Sequence, residues 1–406
     1  MTRRRLGPPL AVAAVLALAA PSAPAADLRE VLVVSNNWAG TADLIDPSTF
    51  KRIKRLDVVP DRARRIAEIR ADPGRSLLFD GIRTLVGEGH DQLVDDGFPS
   101  KDGRRIFFSR PSFADVVAID VRSGRIVWRV PVGGARSDHM ALSPDGRRLL
   151  VSASTKRRVD VIDTRRGRIV GTFASGDQPH ESNFSRDGRR IFHASIGTVY
   201  TSADDPAQDA GKGERVFEIV DARTLKVRRR IDVGRELARY GIGASAAVRP
   251  MAVAPDERYV YMQLSFLHGF VEYDLRAGRP TRVALLPLTA ASRRLTREDE
   301  LLDSAHHGLS FNPAATKLCV AGTMSGYAAI VRRRTLRPQR IVRVGRVPYW
   351  STASRDGRFC FVSVAGEDRI AVISFRTGRL VRFVRVGDHP QRMRTGQIRL
   401  PARSGG

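Results

Sequence analysis

The chain has little cysteine, few aromatic residues and too few acids to balance its bases. Two cysteines, Cys319 and Cys360, occur in 406 residues, and aromatic side chains make up 7% of the chain. Two cysteines cannot build a disulfide framework, a four-cysteine zinc site or, with the spacing present, a CxxCH haem attachment. Past the N-terminus no apolar run is long enough for a membrane helix. There is no Gly-x-Ser-x-Gly elbow, no HExxH and no phosphate loop. The best-marked serine hydrolases, zinc peptidases and nucleotide-binding proteins are thereby excluded. Acidic residues number 43 against 69 lysines and arginines, a formal net charge of +26. Much of the arginine sits beside turns, as in Asp145-Gly146-Arg147-Arg148, where it reads as solvated decoration. The functional alternative is attraction to anionic partners such as cell-envelope polymers. No aromatic interleaving or recognition motif accompanies the charge, so no specific nucleic-acid interface is expected.

Residues 1–25 read as a secretory signal. Arg3, Arg4 and Arg5 form the positive start, Leu10 to Ala20 the apolar core, and Ala23-Pro24-Ala25 a small-residue cleavage site. The expected mature protein is therefore exported, extracellular or periplasmic and possessed of no membrane span. No cysteine sits at the cleavage site, so no lipid anchor is expected.

The remainder is organised by repetition. Ser137 to Gly176 holds four short β-type runs divided by Ser143-Pro144-Asp145-Gly146, by a polar loop and by Asp163-Thr164-Arg165-Arg166-Gly167. The first turn recurs at Asp102-Gly103, Asp187-Gly188 and Asp356-Gly357, and in degraded form at Pro255-Asp256-Glu257 and Asn312-Pro313-Ala314. The second recurs at Asp46, Asp120, Asp221 and Asp274. A turn-opening Asp accepts hydrogen bonds from the backbone ahead of it, which explains the recurrence without any chemistry. The period is about 40 residues, that of propeller blades. Six copies are complete, and half copies stand at the two ends: residues 30–59 lack a first strand, and residues 389–400 supply only one. Joined, they make a seventh blade that removes the free sheet edges. The expected fold is all-β, a seven-bladed β-propeller of four-stranded antiparallel blades spanning residues 26–401 as one domain, with residues 402–406 a disordered tail and the chain a monomer.

The repeats VGRVPYWSTASRDGRFCFVSVAGEDRIAVISFRTGRLVRFVRVG, SPDGRRLLVSAS with VDVIDTRRGRIV, and LVVSNN resemble the YVTN-type β-propeller repeat family, which includes YncE-like secreted bacterial proteins. The resemblance covers nearly the whole mature chain and implies a fold of the quinoprotein amine dehydrogenase-like kind. It does not select an activity, because related propellers include binding modules, lactonases, lyases and quinone- or haem-dependent oxidoreductases.

Cys319 and Cys360 fall in the second strands of the last two full copies. Read as matching positions, they point the same way, and the expectation is two buried small side chains rather than a disulfide. The long insertions, residues 61–96, 197–214, 235–247 and 287–305, all fall on the rim opposite the Asp-Gly turns, where binding sites evolve. Residues 292–302 read as a short helix there. Asp204, Asp205 and Asp209 make one insertion acidic, without the spacing of a calcium loop.

The opening residue of each first strand should face the mouth of the central channel on this long-loop rim. Five residues before the first turn stand Asp95, Asp138, His180, Arg249, His307 and Tyr349, with Gln391 or His389 from the C-terminal strand and His139 and His306 one step away. This polar ring supports three readings. It is a wet funnel, or it binds a polar or anionic ligand with Arg249 as charge partner and Tyr349 as platform. In the third, His139, His180, His306, His307 and His389 supply ligands for copper or zinc. The favoured function is a non-enzymatic binding or scaffold module for a polar or anionic ligand, an anionic cell-envelope polymer or a protein partner. The alternative is an enzyme at the same mouth, either a metal-dependent oxidoreductase or one using His/Asp acid–base chemistry as a lactonase or lyase would.

Overall fold

The computed structural model describes residues 28–199, 211–300, 302 and 304–400. The signal segment, the tail and the acidic loop at Asp204, Asp205 and Asp209 lie outside the described residues.

Seven four-stranded antiparallel sheets follow one another around a ring. Strand β1 (Leu28–Asn36) opens the chain, followed by β2 (Thr41–Ile45) and β3 (Arg52–Asp57). Helices α1 (Arg62–Arg70) and α2 (Pro73–Leu85) come next. Blade 1 is β4–β7 (residues 97–131), blade 2 β8–β11 (137–174) and blade 3 β12–β15 (179–231). After α3 (Val233–Arg239) come blade 4, β16–β19 (248–285), blade 5, β20–β23 (309–343), and blade 6, β24–β27 (348–385). Strand β28 (Pro390–Arg399) then pairs with β1 in register from Leu28↔Arg399 to Asn36↔Pro390, completing blade 7 from both ends of the chain. The first strands touch in cyclic order, β4 to β8, β12, β16, β20, β24, β28 and back to β4. They are the inner wall.

The Asp-Gly turns work as their spacing implies. Asp145 Oδ1 accepts from Ser143 Oγ at 2.6 Å and from Arg147 N at 3.0 Å, while Gly146 takes φ +75°, a conformation costly for any side chain. Ser185 and Asp187, and Ser354 and Asp356, repeat the arrangement. At the second turn, Asp163 Oδ1 accepts from Arg165 N and Arg166 N.

Each blade-to-blade interface has its own apolar cluster, because alternate residues of a strand face opposite neighbours. In β5 (Arg105–Arg110), Phe107 packs with Met140 and Val151 of blade 2, while Phe108 packs with Val31 and Val33 of blade 7. In β17 (Tyr259–Leu264), Met262 meets Phe192 and Phe217 of blade 3, and Tyr261 meets Leu318 and Val320 of blade 5.

Two expectations are corrected here. Among its described residues the segment at 292–302 forms no α-helix; a 3-10 turn runs over Ser292–Arg294. Helical structure lies instead in the insertion after blade 7, where Asp72 accepts from Arg75 N at 3.0 Å ahead of Pro73, an N-terminal signal that a loop reading overlooks. The cysteines are also bonded, Cys319 to Cys360, with Cα atoms 6.3 Å apart. Their positions do not match. Leu318 pairs with Phe311 beside the blade 5 turn, and Cys360 pairs with Ala353 beside the blade 6 turn, so the equivalent of Cys360 is Leu318. A one-residue offset reverses the face of a strand. Cys319 therefore points toward blade 6 and Cys360 back toward blade 5, into one shared cluster with Val362 and Ile330.

The bond closes a loop of 41 residues in sequence separation, for which chain entropy gives about 4 kcal/mol. Reducing the disulfide, or replacing both residues in Cys319→Ala/Cys360→Ala, is expected to lower the denaturant midpoint by a corresponding amount. An unchanged midpoint in the reduced protein would show that the bond does not stabilise the ring.

Candidate site at the channel mouth

The inner strands carry a shared irregularity. In β8 (Ser137–Leu142) the pairing with β9 runs Ser137↔Ala153 and then Met140↔Val151, so Asp138 and His139 stand opposite one residue. The same bulge occurs in β12 (Pro179–Phe184) at His180 and Glu181, in β16 (Val248–Val253) at Arg249 and Pro250, and in β24 (Pro348–Ala353) at Tyr349 and Trp350. In β28 it falls at Gln391 and Arg392. A bulge re-aims side chains that strict alternation would send to opposite faces. Here it brings consecutive residues to the channel together.

His139, His180 and His307 converge, offering ligand nitrogens that all lie within 4.8 Å of one another. The rings of His139 and His180 have centroids 3.8 Å apart, and His307 lies 6.2 and 5.8 Å from them. Asp95 and Asp138 approach His139 from the carboxylate side of the cluster, with Asp138 Oδ1 at 3.3 Å and Asp95 Oδ2 at 3.9 Å from Nε2. His139 Nδ1 faces Glu181 Oε2 at 3.1 Å. Tyr349 stacks on His307 at 4.2 Å, and its backbone carbonyl accepts from His307 Nδ1 at 3.3 Å. Arg249 sets its Nη2 on Ser304 Oγ at 2.5 Å. All of these residues are buried, as is Gln391.

Four arginines and four carboxylates meet here. Arg392, fully buried, reaches Asp95 and Glu181 at 3.3 Å each, contacts His139 and lies 3.9 Å from the Trp350 ring centroid. Arg394 forks onto both oxygens of Asp96 at 2.8 and 2.7 Å. Arg136 pairs with Asp138 at 2.7 Å and donates to Gln92 Oε1 at 2.9 and 3.1 Å, which lays it across the mouth from the insertion. Sequence reasoning missed Glu181, Arg392, Arg136 and Trp350. Glu181, Arg392 and Trp350 each follow an identified ring position, and only the bulge makes such neighbours equivalent.

Two of the anticipated metal ligands lie elsewhere. His306 turns away from His307, with Nε2 3.3 Å from the Tyr327 hydroxyl and its ring against His268. His389 stacks on Trp38 at 3.7 Å, and His90 covers the opposite face of that indole. In blade 5, ahead of β20 (Leu309–Phe311), the doubled pair is His307 and Gly308: His307 N donates to the Ala321 carbonyl and Ala321 N to that of Gly308, so His306 stands before the pair and only His307 of the two histidines reaches the channel.

Burial dominates the titration of the cluster. It holds His139, His180 and His307 well below 6.5, reinforced by the guanidiniums of Arg392 and Arg249. It pushes Asp95 up to about 7, Tyr349 up to about 12, and Glu181 upward. At neutral pH the three imidazoles are uncharged, each with a lone pair.

No protein-family model matches the chain, and no characterised protein matches it in sequence. Among solved structures, the chain is similar to Kuenenia stuttgartiensis hydrazine synthase, with a TM-score of 0.56 and 16% identity over 75% of this chain and 94% of that one. At that identity the likeness is one of fold. The class is thus a seven-bladed β-propeller, and the site at its mouth is assembled from residues of all seven blades.

Outside the cluster, burial also brings His193, His306 and His389 down to about 3. An unfolded histidine takes up its proton near pH 6.5. Below that pH the unfolded chain binds more protons than the folded one, and stability falls by about 1.4 kcal/mol per such histidine per pH unit. Buried acids oppose this, since the raised pKa values of Asp95, Glu181, Asp115 and Glu218 favour the folded state as pH drops, Asp95 from about 7 and the others only nearer the ordinary carboxylate range. Turn carboxylates such as Asp145, held low by Ser143 and Arg147 N, withdraw their contribution only below about pH 4. The thermal midpoint is therefore expected to fall between pH 7.5 and 5.0. A flat or rising profile, read by circular dichroism, would mean that the buried histidines are not neutral.

Proposed function

We propose that the chain is an exported binding module that takes a small oxyanion, free or carried by an anionic cell-envelope polymer or protein partner, at the long-loop mouth of its channel. One observation carries this reading. Residues at the openings of the inner strands, far apart in sequence, bring ionisable side chains to a single buried spot. Buried ionisable groups are costly unless matched, and their concentration at one place in a cleft is a mark of function. Arg249 supplies charge beside His180, His307 and Tyr349, and the Tyr349 hydroxyl, kept protonated, supplies a donor.

Export is supported by the leader-like N-terminus and by the Cys319–Cys360 bond, since disulfides persist in oxidising compartments. The basic surface favours anionic partners over the whole rim. Among the described residues no helix is long and apolar enough to cross a membrane. The resemblance to YVTN-type repeats fits this role but stands on the repeat text alone. An enzyme at the same spot is the second reading, favoured specifically by the proximity of three neutral imidazoles.

The test is thermal stabilisation of the mature, untagged chain by phosphate, sulfate, oxalate and citrate. Saturation with a bound probe is expected to raise the midpoint by about 3–5 °C, and Arg249→Met to abolish the rise while the variant remains folded. If no probe stabilises the chain, or the variant responds equally, the oxyanion reading fails.

A further inference from the structure

We infer that His139, His180 and His307 form a three-imidazole site for a divalent transition-metal ion, copper or zinc. The inference deepens the reading of the channel mouth as a ligand site and rests on it. It begins with the His307 tautomer. A carbonyl oxygen can only accept, so the contact from Nδ1 to the Tyr349 carbonyl places the ring proton on Nδ1. Nε2 then presents a lone pair. That atom is buried and has no hydrogen-bond partner among the described residues, and the same holds for His180 Nδ1. Two bare, buried ring nitrogens in one cluster are a polar debt that the protein alone leaves standing.

His139 completes the set once an ion displaces the Arg392 guanidinium, which contacts both of its ring nitrogens. Its Nδ1 faces the Glu181 carboxylate, the outer contact that orients metal-binding imidazoles and raises their basicity, as the Tyr349 carbonyl does for His307. One nitrogen of each ring lies within 4.8 Å of one from each of the other two, and these need only close to the spacing set by metal–nitrogen bonds of about 2.0–2.1 Å.

Nearby guanidiniums oppose a cation, and nearby carboxylates offset them. Arg392 and Arg136 are held by Asp95, Glu181 and Asp138, and Asp95 and Asp138 themselves bring ligand oxygens within 4.8 Å of His139. Three imidazoles leave a coordination position open, as in catalytic rather than structural zinc sites. An oxyanion beside Arg249 could occupy that position, which is how the metal and the oxyanion belong to one site. For a nitrogen set of this kind, Cu2+ binds ahead of Zn2+.

The experiment uses the mature chain without a histidine tag, stripped with a chelator and titrated with Cu2+ and separately with Zn2+ against a chromophoric competitor. One equivalent is expected to bind. The Cu2+ form should show electron paramagnetic resonance with coupling to imidazole nitrogens. His180→Ala and His307→Ala should each weaken the affinity at least 100-fold. His90→Ala, which alters an exposed ring outside the cluster, should bind as the unmodified chain does. If either alanine variant fails to fold by circular dichroism, His180→Gln and His307→Gln replace them. Absence of a stoichiometric ion, undiminished affinity in the folded variants, or a spectrum without imidazole coupling overturns the inference. A chain that takes up no metal but is still stabilised by oxyanions loses the metal site and keeps the binding function. A chain that responds to neither loses both.

Discussion

Antiparallel pairing between β28 and β1 holds the ring shut, and everything else in the molecule depends on that pairing. Six blades made from contiguous chain would form an open arc with an unpaired inner strand at one end and an unpaired second strand at the other. The ladder from Leu28↔Arg399 to Asn36↔Pro390 joins them, and the side chains of Leu32, Val34 and Met393 then fill the interface with blade 6. Closure also positions the chemistry. Arg392 belongs to the C-terminal strand, yet its partners Asp95, His139 and Glu181 come from the starts of blades 1, 2 and 3. Without closure the cluster would lose its central cation, and the buried acids Asp95 and Glu181 would have less to balance them.

The channel mouth shows how a small backbone irregularity, repeated, changes what a repeat protein can do. An inner strand with strict alternation gives the channel one side chain per level. The bulges in blades 2, 3, 4, 6 and 7 admit two. Asp138 with His139, His180 with Glu181, and Tyr349 with Trp350 are the result. The outer pair of each blade has a register shift of its own beside the second turn, yet the apolar clusters between blades stay intact, so it is the inner-strand bulge that changes what the channel receives.

Much of this was legible before any coordinates. The Asp-Gly turns repeat because their hydrogen bonds are local, and local chemistry leaves a regular trace in the sequence. Counting them identified six blades and the closure of the seventh, and stepping back from each turn reached Asp95, Asp138, His180, Arg249, His307 and Tyr349. What was missed depends on register. The offset that lets Cys319 meet Cys360 is one residue, smaller than the variation in turn alignment across degraded repeats. A bulge leaves no compositional mark of its own, so Glu181 and Arg392 looked like strand residues facing away, and His306 looked as eligible as His139. The helices at residues 62–85 were hidden by a reading that treated that insertion as loop, although Asp72-Pro73 is a legible start signal.

The same closing pair has a consequence for orientation. Leu28 and Arg399 leave the ring side by side next to the blade 1 turn, where Arg399 N donates to the Gly103 carbonyl. That is the short-turn rim, opposite the channel mouth. Whatever is attached to either end of the domain, whether a leader still embedded in a bilayer, a fused module or a surface used for immobilisation, tethers it by its underside. The polar cluster then looks away from the tether, like the bowl of a cup standing on its base, and both ends can be occupied at once without shading it.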